Sequence, residues 1–344
     1  MKKNNKPITL NDIAAKLNVS KVTVSKALRN HPDISKNRTI EIKEAASELG
    51  YIPNLAARNL SAKKTNTIGV IIPAIANSFF ANMTESVYNC AFKKNYNIIL
   101  AVSQEDSLKE RKHLETMLSM KVDGIIISVV EHSENQDMFE RIKNSEIPIL
   151  FFDRTVDNLS FSSVTLSNRK GALTAVEKAI ENGYTRIGHI AGWQDSNIGK
   201  DRYLGYKQAL RKNKLKLNPD WVLFSGFSRN AGYNSFMKMY EEKKLPEILF
   251  AVTFPVALGI HEAAKEVGIN IPNDLDIICF GDSELNEYLN PSISCVTHNT
   301  TDFAEQAFNL ILKQIESSEQ LVDEHLEIET ELLIKETCIK KSKD

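Results

Sequence analysis

Residues 8–28 read ITLNDIAAKLNVSKVTVSKAL, and the organisation of the chain follows from what this stretch can form. Thr9 is a good helix N-cap, and Asp12 stands three residues on, where a carboxylate can reach back to the cap. Ile13, Ala14 and Leu17 then share one helical face, and Asn18 interrupts the pattern with a residue that tolerates left-handed backbone. Ser20 caps a second helix in which Val24, Ala27 and Leu28 face the first, leaving Lys21, Val22, Ser25 and Lys26 outside. Two short helices joined by a tight turn, the second basic on its outer face, make the helix-turn-helix pattern. A third helix is expected behind them, capped by Ser35 with Ile34 as a staple, carrying Ile40, Ala45 and Leu49 inward and stopping at Gly50.

Charge separates this end from the rest. Residues 1–64 hold 13 Lys and Arg against 5 Asp and Glu, a net +8, whereas the remainder holds 30 against 39, a net −9. A polyanion-binding surface therefore belongs to the head. After Pro53 comes Asn54-Leu55-Ala56-Ala57-Arg58-Asn59-Leu60, good helix formers in a piece too short to be stable alone in water.

From Thr67 onward, apolar runs of strand length alternate with amphipathic segments of helix length. Strands are expected at 68–72, 98–102, 124–127, 148–152, 187–190, 248–252 and 276–280, with helices at 80–94, 108–120, 170–182, 203–212 and 256–267 between them. Continuous Ile, Val and Leu runs mark strands buried on both faces, hence parallel sheets under helices, with ligand chemistry at their carboxyl ends. Two sets of such strands give an α/β body of two doubly wound subdomains. The 344 residues, 42% hydrophobic, suffice for a head and two cores.

Several chemistries find no support. Cys90, Cys279, Cys295 and Cys338 have no paired spacing and read as small buried hydrophobes rather than disulfides or a zinc site. No phosphate-cradling glycine loop, GxGxxG, HExxH or GxSxG occurs, and no cofactor is expected. His113-Leu114-Glu115 has a deaminase-like spacing without the cysteines that should follow, and reads as a helix face. His189, inside an apolar strand, reads as a core histidine. With no apolar leader and no run long enough to span a bilayer, a soluble cytoplasmic protein is expected, with no membrane partner.

The order of these parts, with GYIPNLAARNLSAKKTNTIGVIIP at 50–73 following the helix-turn-helix, closely resembles the LacI/GalR family of bacterial transcription regulators. The resemblance runs over nearly the whole chain, and what it implies is an N-terminal all-α helix-turn-helix head with a hinge helix, joined to a periplasmic-binding-protein-like α/β body. The implied domains are a head at 1–53, hinge and linker at 54–66, and a body at 67–344. Crossings between subdomains are expected near Leu166, Ser294 and Leu326, giving an N-subdomain of 67–166 with 295–325 and a C-subdomain of 167–294 with 326–344. The implied activity is that of a regulator, expected to repress and not to be an enzyme. It works as a homodimer on a pseudo-palindromic double-stranded operator, under control of a small-molecule effector that is a carbohydrate or its derivative.

Residue by residue, Lys21, Val22 and Lys26 occupy the family's base-reading positions, while Ser20, Thr23 and Ser25 supply hydroxyls for phosphates and Thr9 lies beside them. Asn54, Ala57, Arg58 and Leu60 match the hinge, where Leu60 stands at the place of the leucine that wedges into the minor groove. The effector cleft is expected from Phe79 and Phe80 after the first strand, Asp153 after the fourth, Arg202 in an Arg-x-x-Gly-Tyr match, Phe227, Thr253 and Asp282. Relatives carry Asn-Pro-Phe-Phe where this chain has Asn77-Ser78-Phe79-Phe80. They read Ala-Asn-Asp where it has Val252-Thr253-Phe254, and an acid where it has Gly281. Two sugar-gripping positions are thus altered, which points to a less hydroxylated or differently oriented effector. A sugar enzyme fused to the head, and a solute-binding protein with an incidental head, are the competing classes; ATP turnover would mark the first, and absence of DNA affinity the second.

Overall fold

The computed structural model describes residues 7–52, 64–156, 159, 161–317 and 322–339. It divides into two compact units, 1–65 and 66–344. The expected hinge residues Asn54, Ala57, Arg58 and Leu60 lie outside the described residues.

The head is three helices, α1 (Leu10–Leu17), α2 (Lys21–Leu28) and α3 (Lys36–Glu48). Asp12 accepts the Thr9 amide and hydroxyl, each at 2.8 Å, so the carboxylate does the capping of α1. Asn18 ends α1 in the left-handed region at φ 52°. Ser20 caps α2 by accepting the Thr23 amide at 3.0 Å, and Ser35 caps α3 by accepting that of Arg38 at 3.3 Å. Ile13, Val24, Ala27, Ile42, Ala45 and Ala46 close a small core, with Leu17, Leu28, Ile34 and Leu49 packed against it. Ile40 does not join it: it is 54% exposed. The buried face of α3 runs through Ile42, Ala45, Ala46 and Leu49 at helical spacing, and Ile40 lies five residues from Ala45, well off that stripe.

The body holds two six-stranded sheets. The first is built from β1 (Thr67–Ile72), β2 (Asn97–Val102), β3 (Gly124–Ile127), β4 (Ile149–Phe152), β5 (Ser163–Leu166) and β11 (His325–Ile328), in the order β11-β5-β4-β3-β1-β2 and parallel throughout. Helices α4 (Ser78–Lys93) and α11 (Thr300–Glu316) pack together, as do α5 (Ser107–Ser119) and α6 (Gln136–Lys143). The second sheet uses β6 (Ile187–Ala191), β7 (Val222–Phe224), β8 (Ile248–Ala251), β9 (Asp276–Phe280), β10 (Ser294–Thr297) and β12 (Glu331–Leu333), in the order β12-β10-β9-β8-β6-β7. All of its pairs are parallel except β10 with β12. Its paired helices are α7 (Asn168–Glu181) with α8 (Asn197–Lys212), and α9 (Arg229–Glu241) with α10 (Phe254–Glu266).

Three expectations are corrected here. β2 is not buried on both faces, because it forms the sheet edge, and Leu100 is 37% exposed. Two crossings shift: β10 belongs to the second sheet, so the chain returns to the first only after Thr297, and β11 belongs to the first, so the last crossing falls between Ile328 and Glu331. Finally, α8 begins six residues before Tyr203. Its first turns bury Ile198, Gly199 and Arg202, and the helix therefore already contains Arg202, which is not at a loop junction.

His113 and His189 serve the fold. His113 lies on α5 with Nε2 3.1 Å from the Val102 carbonyl. His189 bonds through Nδ1 to the Phe250 carbonyl at 2.8 Å, and burial pushes it down to about 4. Cys279, Cys295 and Cys338 are buried, Cys90 partly so, and all four are free thiols. Among the described residues, no helix is long and apolar enough to cross a membrane.

Candidate functional site

Two places gather the expected residues. On the head, the outer face of α2 presents Lys21 and Val22 to solvent, Val22 at 63% exposure, with Ser25 and Lys26 half-buried beside them. An apolar side chain that exposed on a helix of eight residues contributes nothing to the head's core. The Ser20 and Thr23 hydroxyls lie 2.8 Å apart at the start of the helix, and Thr9 is exposed at the start of α1. Lys26 is not free: its Nζ donates to Asp33 at 2.6 Å, and the lysine in turn holds the Asp33 carboxyl below the usual carboxylate range.

In the body, the carboxyl ends of β1, β4, β5, β8, β9 and β10, with the start of α8 and the loop after β7, converge on a cavity of about 250 Å³ between the two sheets. Phe79, Phe80, Asp153, Arg202, Phe227, Thr253 and Asp282 all line it. Local structure explains how each arrives. Asn77 caps α4 by accepting the Phe79 amide at 3.0 Å, which swings the Phe79-Phe80 pair from the end of β1 into the cleft. Phe80 then sinks into the core to 2% exposure, with Phe79 edge-on to it at 5.1 Å. Phe227 lies against Gly192, where a Cβ would stand 2.0 Å from its ring, so only glycine after β6 admits the aromatic wall.

Arg202 is buried to 4% exposure. Its Nε donates to Asn168 Oδ1 at 2.9 Å, its Nη1 to the Val252 carbonyl at 2.6 Å, and its guanidinium lies 3.6 Å from the centre of the Phe280 ring. Burial pushes it down to about 10, against the opposing influence of Asp153. Asp153 sits at φ 59°, a backbone conformation that non-glycine residues adopt rarely. Burial raises its carboxyl while Arg154 and Arg202 act against the rise.

Two charged or titratable cleft residues, Arg154 and His298, were not anticipated. Arg154 follows Asp153, gives Nη1 to Glu105 at 2.8 Å, and lies 5.8 Å from the Phe80 ring and 5.1 Å from that of Phe227. Reading a second residue past the β4 carboxyl end, beyond Asp153, would have found it. His298 follows β10 between Phe79 at 5.5 Å and Phe303 at 5.8 Å, and burial pushes it down to about 4, a neutral ring. Neither ring nitrogen of His298, nor Nε of Arg154, has a hydrogen-bond partner among the described residues. Gly281, expected where relatives carry an acid, lines the cleft at φ 85°. Thr253 and Asp282, by contrast, are already engaged: the Thr253 hydroxyl caps α10 and donates to the Phe227 carbonyl at 3.0 Å, and Asp282 accepts Asn286 Nδ2 at 2.8 Å.

The walls touch across the cleft. Ser78 Oγ donates to Ser283 Oγ at 3.3 Å on one side, and Asn197 bridges to the Asp153 carbonyl at 2.9 Å and the Thr155 amide at 3.2 Å on the other. Beyond these, His132 Nδ1 stands 2.5 Å from Asp195 Oδ2. These contacts tie the two sides of the cleft together through short polar bonds.

Comparison with known proteins bears on both regions. Residues 9–54 match the profile of bacterial regulatory proteins of the lacI family, and residues 176–338 that of the periplasmic binding protein-like domain. Catabolite control protein A of Priestia megaterium is 31% identical over 307 residues, covering 89% of this chain and 92% of that protein. The HTH-type transcriptional repressor PurR of Haemophilus influenzae is 28% identical over 339 residues, covering 96% and 98%. In structure, the chain is similar to the lac repressor dimer bound to operator and the anti-inducer ONPF, with a TM-score of 0.86, 21% identity and coverage of 97% of this chain and 100% of that one. The CelR–cellobiose complex follows with a TM-score of 0.74, 22% identity and coverage of 96% and 99%.

Proposed function

Since this chain belongs to the lacI family of bacterial regulatory proteins, we infer that it is a sequence-specific DNA-binding transcription regulator whose hold on its operator is set by a small molecule in the body cleft. The observation that carries the DNA half is the α2 face, where Lys21 and Val22 are exposed on a unit with its own core. A lysine can donate to a guanine edge and a valine methyl can meet the thymine methyl, each good base contact discriminating by about 1–3 kcal/mol. Ser20, Thr23 and Ser25 hydroxyls, with Thr9, fix register on phosphates.

For the effector half, aromatic Phe79 and Phe227 suit the apolar face of a sugar ring. Asp153 supplies an acceptor, and Arg202, held by Asn168 and the Val252 carbonyl, keeps donor capacity beside it in the same cavity. The mechanism proposed is a homodimer on a pseudo-palindromic operator. Closure of the cleft around ligand sets the spacing of the two hinges, and so whether Leu60 of each chain enters the minor groove. Such coupling is reciprocal and typically worth about 1–3 kcal/mol.

Selection of bound sequences from random duplexes tests the reading. A palindromic consensus is expected, whose affinity falls steeply with added salt. Leu60→Ala is expected to weaken that complex and reduce DNA bending; unchanged bending removes the hinge from the mechanism. Failure to enrich any sequence refutes the regulator.

A further inference from the structure

The carboxylate of the cleft stands on an unusual piece of backbone. The Arg154 amide donates to the Phe152 carbonyl at 2.6 Å, closing a three-residue turn with Asp153 in the middle at φ 59°. Such a turn with its central residue at positive φ is rare and strained, and it persists only where neighbouring groups hold it. On its own side of the cleft the Asp153 amide donates to the Val164 carbonyl of β5 at 3.0 Å, and Arg154 is held by Glu105.

A further restraint comes from the other wall. Asn197 Nδ2 donates to the Asp153 carbonyl at 2.9 Å, and its Oδ1 accepts the Thr155 amide at 3.2 Å. One carboxamide thus pairs with the polar groups on both sides of Arg154, a task that needs a donor and an acceptor on the same side chain. Its own position is set from behind. Asn197 is the first residue of α8, which Ser196 caps by accepting the Gly199 amide at 3.4 Å. A Cβ at Gly199 would stand 2.1 Å from the Trp193 carbonyl, so the helix start is seated on the chain leaving β6. Asp153 lines the effector cavity, whereas Asn197 borders the hollow beyond Arg154, with Glu131, His132 and Asp195.

We propose that Asn197 is a positioning residue for the effector site: it holds the Asp153 turn in its binding form only while the two walls of the cleft meet. What this means for an effector rests on the cleft reading above. The turn follows β4 and Asn197 begins α8, so any parting of the walls breaks both bonds at once and lets Asp153 relax. Other ties across the cleft leave this backbone alone: Ser78 bonds Ser283, and His132 meets Asp195. A ligand shifts an equilibrium only by its differential affinity for the two states. Asn197 adds to that difference for any effector that uses Asp153.

The test is hydrogen exchange, resolved to single amides, on the full-length protein without effector. Asn197→Ala, at a helix position that accepts alanine, is expected to raise exchange at Asp153 and Arg154 by about tenfold. These amides are bonded to Val164 and Phe152, so their release reports the turn and not the lost partner. Asn197→Asp keeps an acceptor for the Thr155 amide but loses the donor, and is expected to protect Thr155 while releasing Asp153 and Arg154. Asp195→Ala, which removes a tie elsewhere between the same walls, is expected to change all three by less than about twofold. Unchanged exchange at Asp153 and Arg154 in Asn197→Ala overturns the proposal, as does equal release by Asp195→Ala. Exchange raised throughout the body with a lower melting temperature also overturns it, since that marks general loosening. The outcome is independent of what the cleft binds. If the turn is released as expected, yet molecules that bind the protein keep their affinity in Arg202→Ala, the positioning role stands and the effector reading falls.

Discussion

The head and the body reach a working surface by different physical routes. In the head, one small core of Ile13, Val24, Ala27, Ile42, Ala45 and Ala46 holds three short helices, and the residues proposed to contact DNA, among those described, all fall between Thr9 and Lys26. In the body, three larger apolar clusters hold two sheets, and the cleft draws on residues from Asn77 to Thr300. A unit with so little buried surface is marginal on its own, whereas the body's strands are buried many times over. The difference teaches that the same kind of substitution should have an all-or-none effect in one region and a graded one in the other.

The sharpest way to break that comparison is Ile42→Ala. Truncating a fully buried isoleucine costs about 2–5 kcal/mol, enough to unfold the head while the body keeps its native circular dichroism and ligand binding. Loss of both regions together would contradict the division into independent units. Arg202→Ala tests the body side. Removing charged hydrogen bonds of this kind costs about 1.5–3 kcal/mol, and effector affinity, measured by calorimetry, should fall by one to two orders of magnitude while operator affinity without ligand persists. Lys26→Ala should cost about 1–3 kcal/mol at the preferred operator and much less on random duplex, a change confined to the head.

A subtler test concerns Glu110, which is buried under the loop that carries His132 and accepts the Val130 amide at 2.8 Å and Asn135 at 2.9 Å. Burial raises its carboxyl above the usual range despite those donors. A raised carboxyl binds its proton more tightly in the folded state. The matching stability is therefore present below the ordinary value of 4.5 and is lost as pH climbs through the raised one. Glu110→Gln should flatten the body's melting temperature over that window and leave the head's unchanged. Smallest of all, Asp33→Asn releases Lys26 from its exposed partner and should tighten operator binding by only about twofold to fivefold in anisotropy titrations, since surface pairs contribute little.

Legibility in the sequence followed the same divide. The caps at Ser20 and Ser35, the left-handed Asn18 and the inward faces of α1 and α2 depend on spacings of a few residues, and these were readable; only the α3 stripe was misjudged, through Ile40 in place of Ile42. The central strands of both sheets were equally plain. β5, β7, β10, β11 and β12 were not, because they are short runs of three or four residues, all but β7 carrying Ser, Thr, His or Glu, and their identity as strands comes from neighbours far along the chain. His298 was invisible for the same reason: it becomes a cleft residue only because β10 ends beside β9. Helices α6, α9 and α11 were missed although the sequence carried their apolar faces, Met138, Phe139 and Ile142 in α6 and Phe303, Ala307, Phe308 and Ile311 in α11. The engagement of Thr253 and Asp282 with internal partners is a fact of packing that no spacing encodes.

The most direct test of the central claim is an anisotropy titration of the full-length protein on its selected operator, with and without a saturating cleft ligand. The account predicts a shift in operator affinity of about fivefold to 150-fold, abolished by Arg202→Ala while the ligand-free affinity stays. An operator affinity indifferent to every molecule that binds the cleft would contradict it.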